Sequence, residues 1–289
     1  MSITYRQPTP ADISAVGQLI FDAFASIHDR HQFPRDFPTL ESAVGFAQAW
    51  ISHPRVWGIL AVRDGGKIVG CNFLDERNTV PGVGPICVDP SQQGGGIGRK
   101  LMQAVIERGE STGAKSIRLM QDAFNTASMS LYASLGFVIN EPIAEMRGKI
   151  ASHPAASAVR PMTEKDLPAC GELCRKVHGF DRNPELADAL KMFKPMVVER
   201  GGRITAYMTA PTFWPLNHGV AESGEEMKNL LIGASARNEE PLAFAVPTRN
   251  GEFFRWCLAQ GLRMQKPMSL MTRGEYQEPA GWWFPSVLY

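Results

Sequence analysis

Short apolar runs alternate with amphipathic segments along the chain, which is the pattern of strands and helices in an α/β protein. In the first half we predict strands over 3–7, 56–63, 67–75, 83–88 and 115–121, with a final strand after residue 136. We predict helices from 10 to about 26, around 39–52, over 96–112 and over 126–135. The helix predictions rest on apolar residues at a spacing near 3.6, such as Leu101, Val105 and Ile106, and the strand predictions rest on short apolar runs such as IRLM. These elements predict a mixed central sheet flanked by helices.

The chain also repeats part of its own sequence. RQPTPADI (6–13) aligns with RPMTEKDL (160–167) at an offset of 154, with Arg, Thr and Asp in register. AVRDGGKIVG (61–70) resembles VERGGRITA (198–206), and LYASLGFVINEPIAEM (131–146) matches WCLAQGLRMQKPMSLM (256–271) at an offset of 125. We therefore predict two tandem domains, 1–150 and 158–289, that meet in the small-residue stretch ASHPAASA (151–158).

Composition and charge exclude several classes of function. The 289 residues carry 30 Lys and Arg against 29 Asp and Glu, so a nucleic-acid partner held through phosphate contacts is not expected. No apolar run reaches the roughly 20 residues that span a bilayer, and MSITYRQPTP lacks the pattern of a signal peptide, so no membrane partner is expected. The five cysteines are odd in number and form no CxxC pair, which predicts reduced thiols in a cytoplasmic protein.

The clearest chemical signal is the segment VGPICVDPSQQGGGIGRKL (83–101), in which a strand, three glycines and an amphipathic helix follow one another. Glycines let successive backbone N–H groups point into one concavity at the positive end of a helix, where a diphosphate binds. A flexible loop is the alternative. The glycines come too late in the strand order for a dinucleotide fingerprint, and no Gly-Lys-Ser/Thr of a nucleotide-hydrolysing loop is present.

At these residues the sequence resembles the GNAT acetyltransferase superfamily. The family signature Q/R-x-x-G-x-G/A corresponds to Gln93, Gly96 and Gly98, and NTASMSLYASLGF (125–137) is similar to the family's N-x-x-S-x-x-L-Y-x-x-x-G-F helix. The resemblance covers residues 3–150 and, in degenerate form, 158–275. It implies two tandem GNAT-like domains, each a mixed sheet flanked by helices.

The resemblance further implies that acetyl-CoA is the co-substrate. Backbone amides from Gln93 to Gly98 would hold the diphosphate, with Arg99 as a counter-charge. The strand at Ile86–Val88 would pair with the pantetheine arm, and Asn125 would bind the coenzyme beside the last helix. The implied contacts are Ile86, Cys87, Val88, Gln93, Gly94, Gly95, Gly96, Ile97, Gly98, Arg99 and Asn125.

The resemblance places a phenol near the coenzyme sulfur at Tyr132, where it can donate a proton to the departing thiolate. A base for the acceptor amine is also expected, and Asp75 and Glu76 are the first candidates, although a solvated strand end explains them equally well. Asp89 is more simply a turn residue before Pro90. The histidines of SIHDRHQF (26–33) could serve too, but a histidine in a loop is usually solvated.

Other features have simpler interpretations. Cys170, Cys174 and His178 could ligate a metal, but the repeat aligns them with apolar helix positions, so we expect core packing and no metal site.

The second copy lacks the glycine loop: Glu222, Glu225 and Glu226 cluster where phosphates would bind, and Cys257 replaces the tyrosine. We expect the aromatic C-terminus, which contains Trp282, Trp283, Phe284 and Tyr289, to dock against a neighbouring domain or subunit.

These observations favour direct acetyl transfer from acetyl-CoA to a primary amine in the first domain, with a coenzyme-free second domain. The acceptor is a small-molecule amine or a protein lysine or N-terminal amine, and the chain is a monomer or a homodimer. A non-catalytic acyl-CoA-binding sensor that uses the same loop is the alternative.

Overall fold

The computed structural model describes residues 2–151 and 158–288, which form two compact units. The first unit contains Met1–Leu119 and Phe124–Val138, and the second contains Met120–Ala123 and Ile139–Tyr289. Most of the predicted junction ASHPAASA lies outside the described residues, as does Tyr289. Among the described helices, none is both long and apolar enough to cross a bilayer.

The first unit is a mixed sheet with helices packed against it. Its strands are β1 (Ile3–Arg6), β2 (Val56–Arg63), β3 (Ile68–Asp75), β4 (Gly82–Val83), β5 (Cys87–Val88) and β6 (Ser116–Asp122), the last of which ends in the short segment of the second unit. Its helices are α1 (Ile13–His31), α2 (Leu40–Ser52), α3 (Ile97–Ser111) and α4 (Thr126–Ser134). The strand order is β1-β2-β3-β4-β6, with β5 also on β3, and every described pair is antiparallel except β4–β6.

The elements predicted for the first half are present, with two differences. Helix α1 continues to His31 instead of ending near 26, and it ends where Gln32 turns into the left-handed region at φ 60°. The strand predicted over 83–88 is divided into β4 and β5. Regular strand pairing is interrupted between β4 and β5, because Gly84 has φ 137° and Pro85 has no N–H to donate.

The second unit contains two sheets. Its strands are β7 (Val138–Gly148), β8 (Val159–Pro161), β9 (Met196–Arg200), β10 (Arg203–Met208), β11 (Gly219–Ala221), β12 (Leu242–Pro247), β13 (Arg263–Gly274) and β14 (Trp282–Phe284). Its helices are α5 (Leu167–His178), α6 (Asn183–Met192), α7 (Gly224–Arg237) and α8 (Gly251–Ala259). One sheet has the order β13-β7-β12 within this unit, and the other has the order β14-β11-β10-β9-β8. Trp282–Phe284 therefore form a strand of their own unit, which differs from the expectation that the aromatic C-terminus docks against a neighbouring domain or subunit.

The compact units differ from the predicted domain ranges at β7. The sequence placed residues up to 150 in the first domain, but β7 pairs antiparallel with β12, from Gly148–Leu242 to Ile143–Pro247. This pairing joins residues about 100 positions apart. The apolar pattern of a strand does not specify which other strand it pairs with, so the sequence could not predict this partner. The roles predicted for the two domains stay predictions.

Two clusters of buried side chains form the core of the second unit. Cys170 and Cys174 belong to one of them, and neither side chain is exposed. Burial raises the pKa of Cys170 to about 12 and that of Cys174 to about 11. The prediction that these residues pack in the core is confirmed.

The same three-residue cluster opens both units, and we call it the Arg–Thr–Asp clamp. It consists of Arg6, Thr9 and Asp12 in the first unit and of Arg160, Thr163 and Asp166 in the second. In each unit the two guanidinium nitrogens donate to the two carboxylate oxygens, at 2.7–2.8 Å. The Thr backbone N–H donates to the same carboxylate, at 2.7 Å and 2.8 Å. The residues that aligned in the sequence therefore make the same bonds.

Helix α4 of the first copy and helix α8 of the second also match. Asn125 Oδ1 accepts from the N–H of Ser128 at 3.2 Å, and Asn250 Oδ1 accepts from the N–H of Phe253 at 3.1 Å. Both side chains cap the start of a helix, α4 or α8. The offset of 125 residues found in the sequence thus relates equivalent positions in the two units.

We expect Asp166→Asn to lower the free energy of unfolding by about 1.5–3 kcal/mol, the contribution of hydrogen bonds to a charged group. The Arg160 guanidinium lowers the pKa of the Asp166 carboxyl to about 2. A pKa lowered by folding gives stability that is present above the unfolded value of about 4 and is lost as pH falls toward 2. The variant should therefore show a flatter loss of stability over that pH range in urea titrations.

Asp22→Asn is the control, because Asp22 lies on the exposed face of α1 and bonds to Gln18 at 2.9 Å. It should change the unfolding free energy by less than about 0.5 kcal/mol. Equal effects of the two substitutions would contradict a structural role for the clamp.

Candidate functional site

The glycine loop leads from β5 into α3, and two of its glycines are in the left-handed region. Gly94 has φ 85° and Gly96 has φ 82°, and a Cβ at either position would meet no heavy atom within 4 Å. Gly96 is the N-cap of α3 and makes no side-chain capping bond. The amides of Ile97 and Gly98 lie in the first turn of the helix, which has no internal acceptor for its N–H groups. The loop therefore offers backbone donors next to open space.

Asp89 shapes the start of this loop. Its carboxylate accepts from the N–H of Ser91 at 2.9 Å and pairs with the Lys67 ammonium at 2.7 Å. The hydrogen bond from Lys67 lowers the pKa of Asp89 to about 2. A carboxylate with so low a pKa is a weak base. The interpretation of Asp89 as a turn residue agrees with these contacts.

Strand β5 is paired on one edge among the described residues. Cys87 lies opposite Cys71 and Val88 opposite Gly70 of β3, whereas the parallel pairing of β4 with β6 is at Gly82–Arg118. The neighbouring strands thus diverge after Gly82, and Ile86 and Val88 are half-buried in this region. Extended backbone with one unpaired edge can bind an amide-containing chain in the manner of an added strand.

The residues expected to contact the coenzyme beyond the loop have partners within the protein. Asn125 uses Oδ1 to cap α4, so its Nδ2 amide is the group that could donate to a coenzyme. Arg99 is exposed and donates to Ser134 Oγ at 2.8 Å. Gly98 approaches α4, because a Cβ there would lie 3.4 Å from Leu131 Cδ2. Helix α4 thus packs beside the loop.

Tyr132 lies in α4, one residue after Leu131, and its side chain is buried. Its ring is 6.2 Å from that of Phe137, and its carbonyl accepts from the N–H of Phe137 at 3.1 Å. The short helix and this tight turn fix the backbone that carries the phenol. Its role as a proton donor stays a prediction.

Asp75 and Glu76 each bind a different arginine. Asp75 is the last residue of β3, and Glu76 follows the strand. Asp75 is buried and bonded to Arg77, with Nη2 at 2.6 Å from Oδ2. Glu76 forms a bidentate salt bridge with Arg108, whose Nε and Nη2 donate to Oε1 and Oε2 at 2.8 and 2.9 Å. Each candidate base already has an arginine partner.

Glu76 and Arg108 line a cavity of about 210 Å³ at the end of β3. Trp50, Trp57 and Phe73 form part of its wall. Trp50 also donates its indole N–H to the Gly84 carbonyl at 3.1 Å, next to the point where the strands diverge. Trp50 was not among the candidate residues of the sequence; it lies on the buried face of α2 with Ala43 and Ala47.

The histidines of SIHDRHQF lie in α1 and not in a loop, because the helix extends to residue 31. His28 is fully buried, with Nδ1 at 2.8 Å from the Phe24 carbonyl and Nε2 at 3.5 Å from Asp36 Oδ2. His31 is exposed, and its ring lies 5.3 Å from that of Phe124. The expectation of a solvated loop histidine is therefore wrong for His28.

The second unit has no counterpart of the glycine loop in its described residues. Helix α7 begins at Gly224 after Ser223, whose hydroxyl accepts from the N–H of Glu226 at 3.2 Å. Glu222 pairs with Arg203, and Glu226 with Arg200. Carboxylates at a helix start interact favourably with the helix dipole but repel a diphosphate.

Comparisons with known proteins agree with this geometry. The model of the acetyltransferase (GNAT) family matches residues 22–137. The mycothiol acetyltransferase of Amycolatopsis mediterranei is 30% identical to this chain over 103 residues. That of Kocuria rhizophila is 50% identical to it over 50 residues. These matches cover 32% and 17% of this chain, and 33% and 16% of those proteins, so this chain spans at most a third of their length.

Solved structures share the fold over nearly the whole chain. A protein of Pyrococcus horikoshii, provisionally named an acetyltransferase, superposes with a TM-score of 0.79 at 18% identity, covering 99% of this chain and 94% of that one. A tandem GNAT protein from the clavulanic acid biosynthesis pathway superposes with a TM-score of 0.62 at 13% identity, covering 94% and 98%. Residues 22–137 are thus similar to the acetyltransferase (GNAT) family, and the solved structures share the fold over nearly the whole chain.

Proposed function

We propose that the first unit transfers an acetyl group from acetyl-CoA to a primary amine. The observation that carries the proposal is the junction of β5 and α3. A strand that has a partner on only one edge among the described strands runs there into a glycine loop with open space at a helix start. The edge suits the two amides of a pantetheine arm, and the loop suits a diphosphate. The family match over residues 22–137 supports the same assignment.

The residues of the first unit fit the coenzyme group by group. Backbone donors from Gln93 to Gly98 would hold the phosphates, and the Asn125 Nδ2 amide would bond to the chain beside α4. Arg99 would add positive charge near the phosphates. When bound, the co-substrate supplies an electrophilic thioester carbonyl and a thiolate leaving group.

In the proposed reaction the amine nitrogen attacks the thioester carbonyl carbon. The C–N bond forms, the C–S bond breaks, and the phenol of Tyr132 gives its proton to the sulfur. A backbone N–H of Ile86–Val88 would donate to the carbonyl oxygen while it carries negative charge. The proton lost by the amine passes to a base, directly or through water, and Tyr132 is reprotonated.

Direct transfer is favoured over an acyl-cysteine intermediate. Cys87 is the thiol nearest in sequence to the proposed groove, but it is buried and faces Cys71 across the sheet. Burial raises the pKa of the Cys87 thiol well above its usual range. The thiolate is the nucleophilic form, so such a thiol is a poor nucleophile at neutral pH.

The ion pairs of the two candidate bases are the observation that favours a second function. Asp75 and Glu76 both hold arginines in ion pairs. A carboxylate held in this way would have to give up hydrogen bonds in order to accept a proton. A non-catalytic acyl-CoA-binding sensor needs no base, so carboxylates held in ion pairs are compatible with that function.

For the acceptor we place small-molecule amines before protein lysine or N-terminal amines. The reason is that the partly matching relatives are named mycothiol acetyltransferases. We propose a cytoplasmic location, in line with the five cysteines, all of which are buried free thiols. A monomer or homodimer remains our expectation for the assembly, and we regard the two units as tandem GNAT-like copies.

A thiol-release assay with acetyl-CoA decides between enzyme and sensor. The full chain is mixed with panels of small amines, lysine peptides and peptides with a free N-terminus, and both coenzyme A and acetylated product are quantified. We expect equal amounts of the two for at least one acceptor class. Coenzyme binding without turnover on any panel would favour the sensor.

Gly96→Glu should weaken binding of coenzyme A by about tenfold to a thousandfold, because it places a carboxylate beside the phosphates. Isothermal calorimetry measures the affinity. Gly65→Glu is the matched control: Gly65 also has a positive φ, of 88°, and open space around its Cβ position. Both variants place a side chain at a residue of similar positive φ, so equal loss of affinity in the two would contradict the loop assignment.

Tyr132→Phe should lower kcat by ~10²–10⁴-fold, the usual effect of losing a general acid. The Kd for coenzyme A should change little, because the proposed proton donation occurs only in the chemical step. Tyr5→Phe, in strand β1, serves as the control for loss of a phenol elsewhere. An unchanged kcat under conditions where chemistry limits the rate would remove Tyr132 from this role.

A further inference from the structure

The C-terminal tail, residues 275–288, contains strand β14, which lies at a place equivalent to the proposed coenzyme groove. Strand β11 precedes α7 in the second unit, as β5 precedes α3 in the first. Strand β5 pairs with β3 alone among the described strands. Strand β11 pairs with β10 on one side and with β14 on the other. The edge that is unpaired in the first unit is therefore paired in the second.

The pairing of β14 is regular and antiparallel. Gly219 lies opposite Phe284, Val220 opposite Trp283, and Ala221 opposite Trp282. A pantetheine arm is an extended chain with two amides, and an extended peptide offers the same kind of donors and acceptors. The tail thus provides backbone groups of the type that we assign to the coenzyme in the first unit.

The tail also covers the start of the following helix. In the first unit a Cβ at Gly96 would meet nothing within 4 Å, whereas a Cβ at Gly224 would lie 2.4 Å from Trp282 Cζ2. A Cβ at Gly219 would lie 2.2 Å from Phe284 Cζ. The two aromatic rings therefore occupy the space directly above these glycines, where the first unit is open.

On its other side the tail contacts the strand and helix that follow in the repeat. The Phe284 ring is 5.2 Å from that of Phe244 in β12, and the Trp282 ring is 5.5 Å from that of Phe253 in α8. Helix α8 is equivalent to α4, as the matching caps Asn125 and Asn250 indicate. The tail therefore lies between β11 and β12, the counterparts of the diverging strands of the first unit.

Polar contacts hold the tail on both sides of β14. The N–H of Ala280 donates to the Val177 carbonyl at 2.8 Å, and the Arg182 guanidinium donates to Ser286 Oγ at 2.8 Å. Arg182 is 1% exposed and is itself held by Glu185. Because breaking such a contact leaves a buried charge with fewer partners, the tail is expected to remain bound.

We infer that the C-terminal tail is an internal substitute for a ligand in the second unit. It fills the groove that the first unit keeps open for the pantetheine arm, an inference that rests on the proposed function of the first unit. The chain therefore has one coenzyme site, and its second unit is a ligand-binding fold closed by an extended peptide from the same chain. The opened groove would accept an uncharged extended peptide with aromatic side chains.

A cut but otherwise complete chain tests this inference. A protease site is inserted between Glu275 and Tyr276, in a segment that is largely exposed, and the folded chain is cut there. We expect the fragment 276–289 to stay bound through gel filtration and to exchange with a labelled synthetic peptide of the same sequence. The uncut chain should not bind that peptide. A fragment that separates at once, or an uncut chain that binds the peptide equally well, would overturn the inference.

Two glycine substitutions provide a matched pair for the same measurement. A Cβ at Gly219 meets Phe284 at 2.2 Å, and a Cβ at Gly233 meets Val159 at the same distance, away from the tail. Gly219→Ala should release the cut fragment about tenfold faster, the effect of about 1.4 kcal/mol of overpacking, and Gly233→Ala should not. Equal release rates would count against the groove. Hydrogen exchange at 282–284 in the uncut variants gives the same comparison without cleavage.

Calorimetry with coenzyme A separates this inference from the proposed function. One site per uncut chain supports both. Two sites would overturn the inference and leave the proposed function intact. No binding to any form would contradict the proposed function, while the release rates of the tail would still decide whether it fills the groove.

Discussion

Backbone N–H and C=O groups at the edge of a strand need hydrogen-bond partners, and the two units meet this need differently. In the first unit β5 keeps one edge without a described strand partner, beside a helix start with open space. In the second unit the equivalent edge is paired with β14. The difference between an open groove and a closed one therefore follows from the presence of one three-residue strand.

The charges near the two helix starts follow the same division. The first unit presents glycines and Arg99 there, so anionic groups can approach. The second presents Glu222 and Glu226, which are neutralised by arginines of β9 and β10 instead of by a ligand. Once the tail covers this site, phosphate-binding glycines bring no advantage, and acidic residues that stabilise the helix dipole are compatible with the fold.

Despite this divergence, both units retain the same structural contacts at their beginnings and ends. The Arg–Thr–Asp clamp and the Asn caps occur in both, with bond lengths that agree to about 0.1 Å. These contacts hold chain turns and helix starts, which any copy of the fold requires. The groups that differ are Tyr132, replaced by Cys257, and the glycine loop, replaced by a helix start with Glu222 and Glu226 nearby; these are the groups that the proposed chemistry requires.

The sequence alone determined the local features: the element order of the first half, the glycine loop, the repeated Arg, Thr and Asp positions, and the loss of loop and tyrosine in the second copy. These depend on interactions within a few residues, such as helix periodicity, caps and positive φ at glycine. Only the tertiary structure decided which strand pairs with β7, that the tail closes β11, and that Asp75 and Glu76 hold arginines. Partners of this kind are selected by packing and charge between residues far apart in the chain. The residue types of an apolar strand, or the presence of a carboxylate, do not specify which distant group will be the partner.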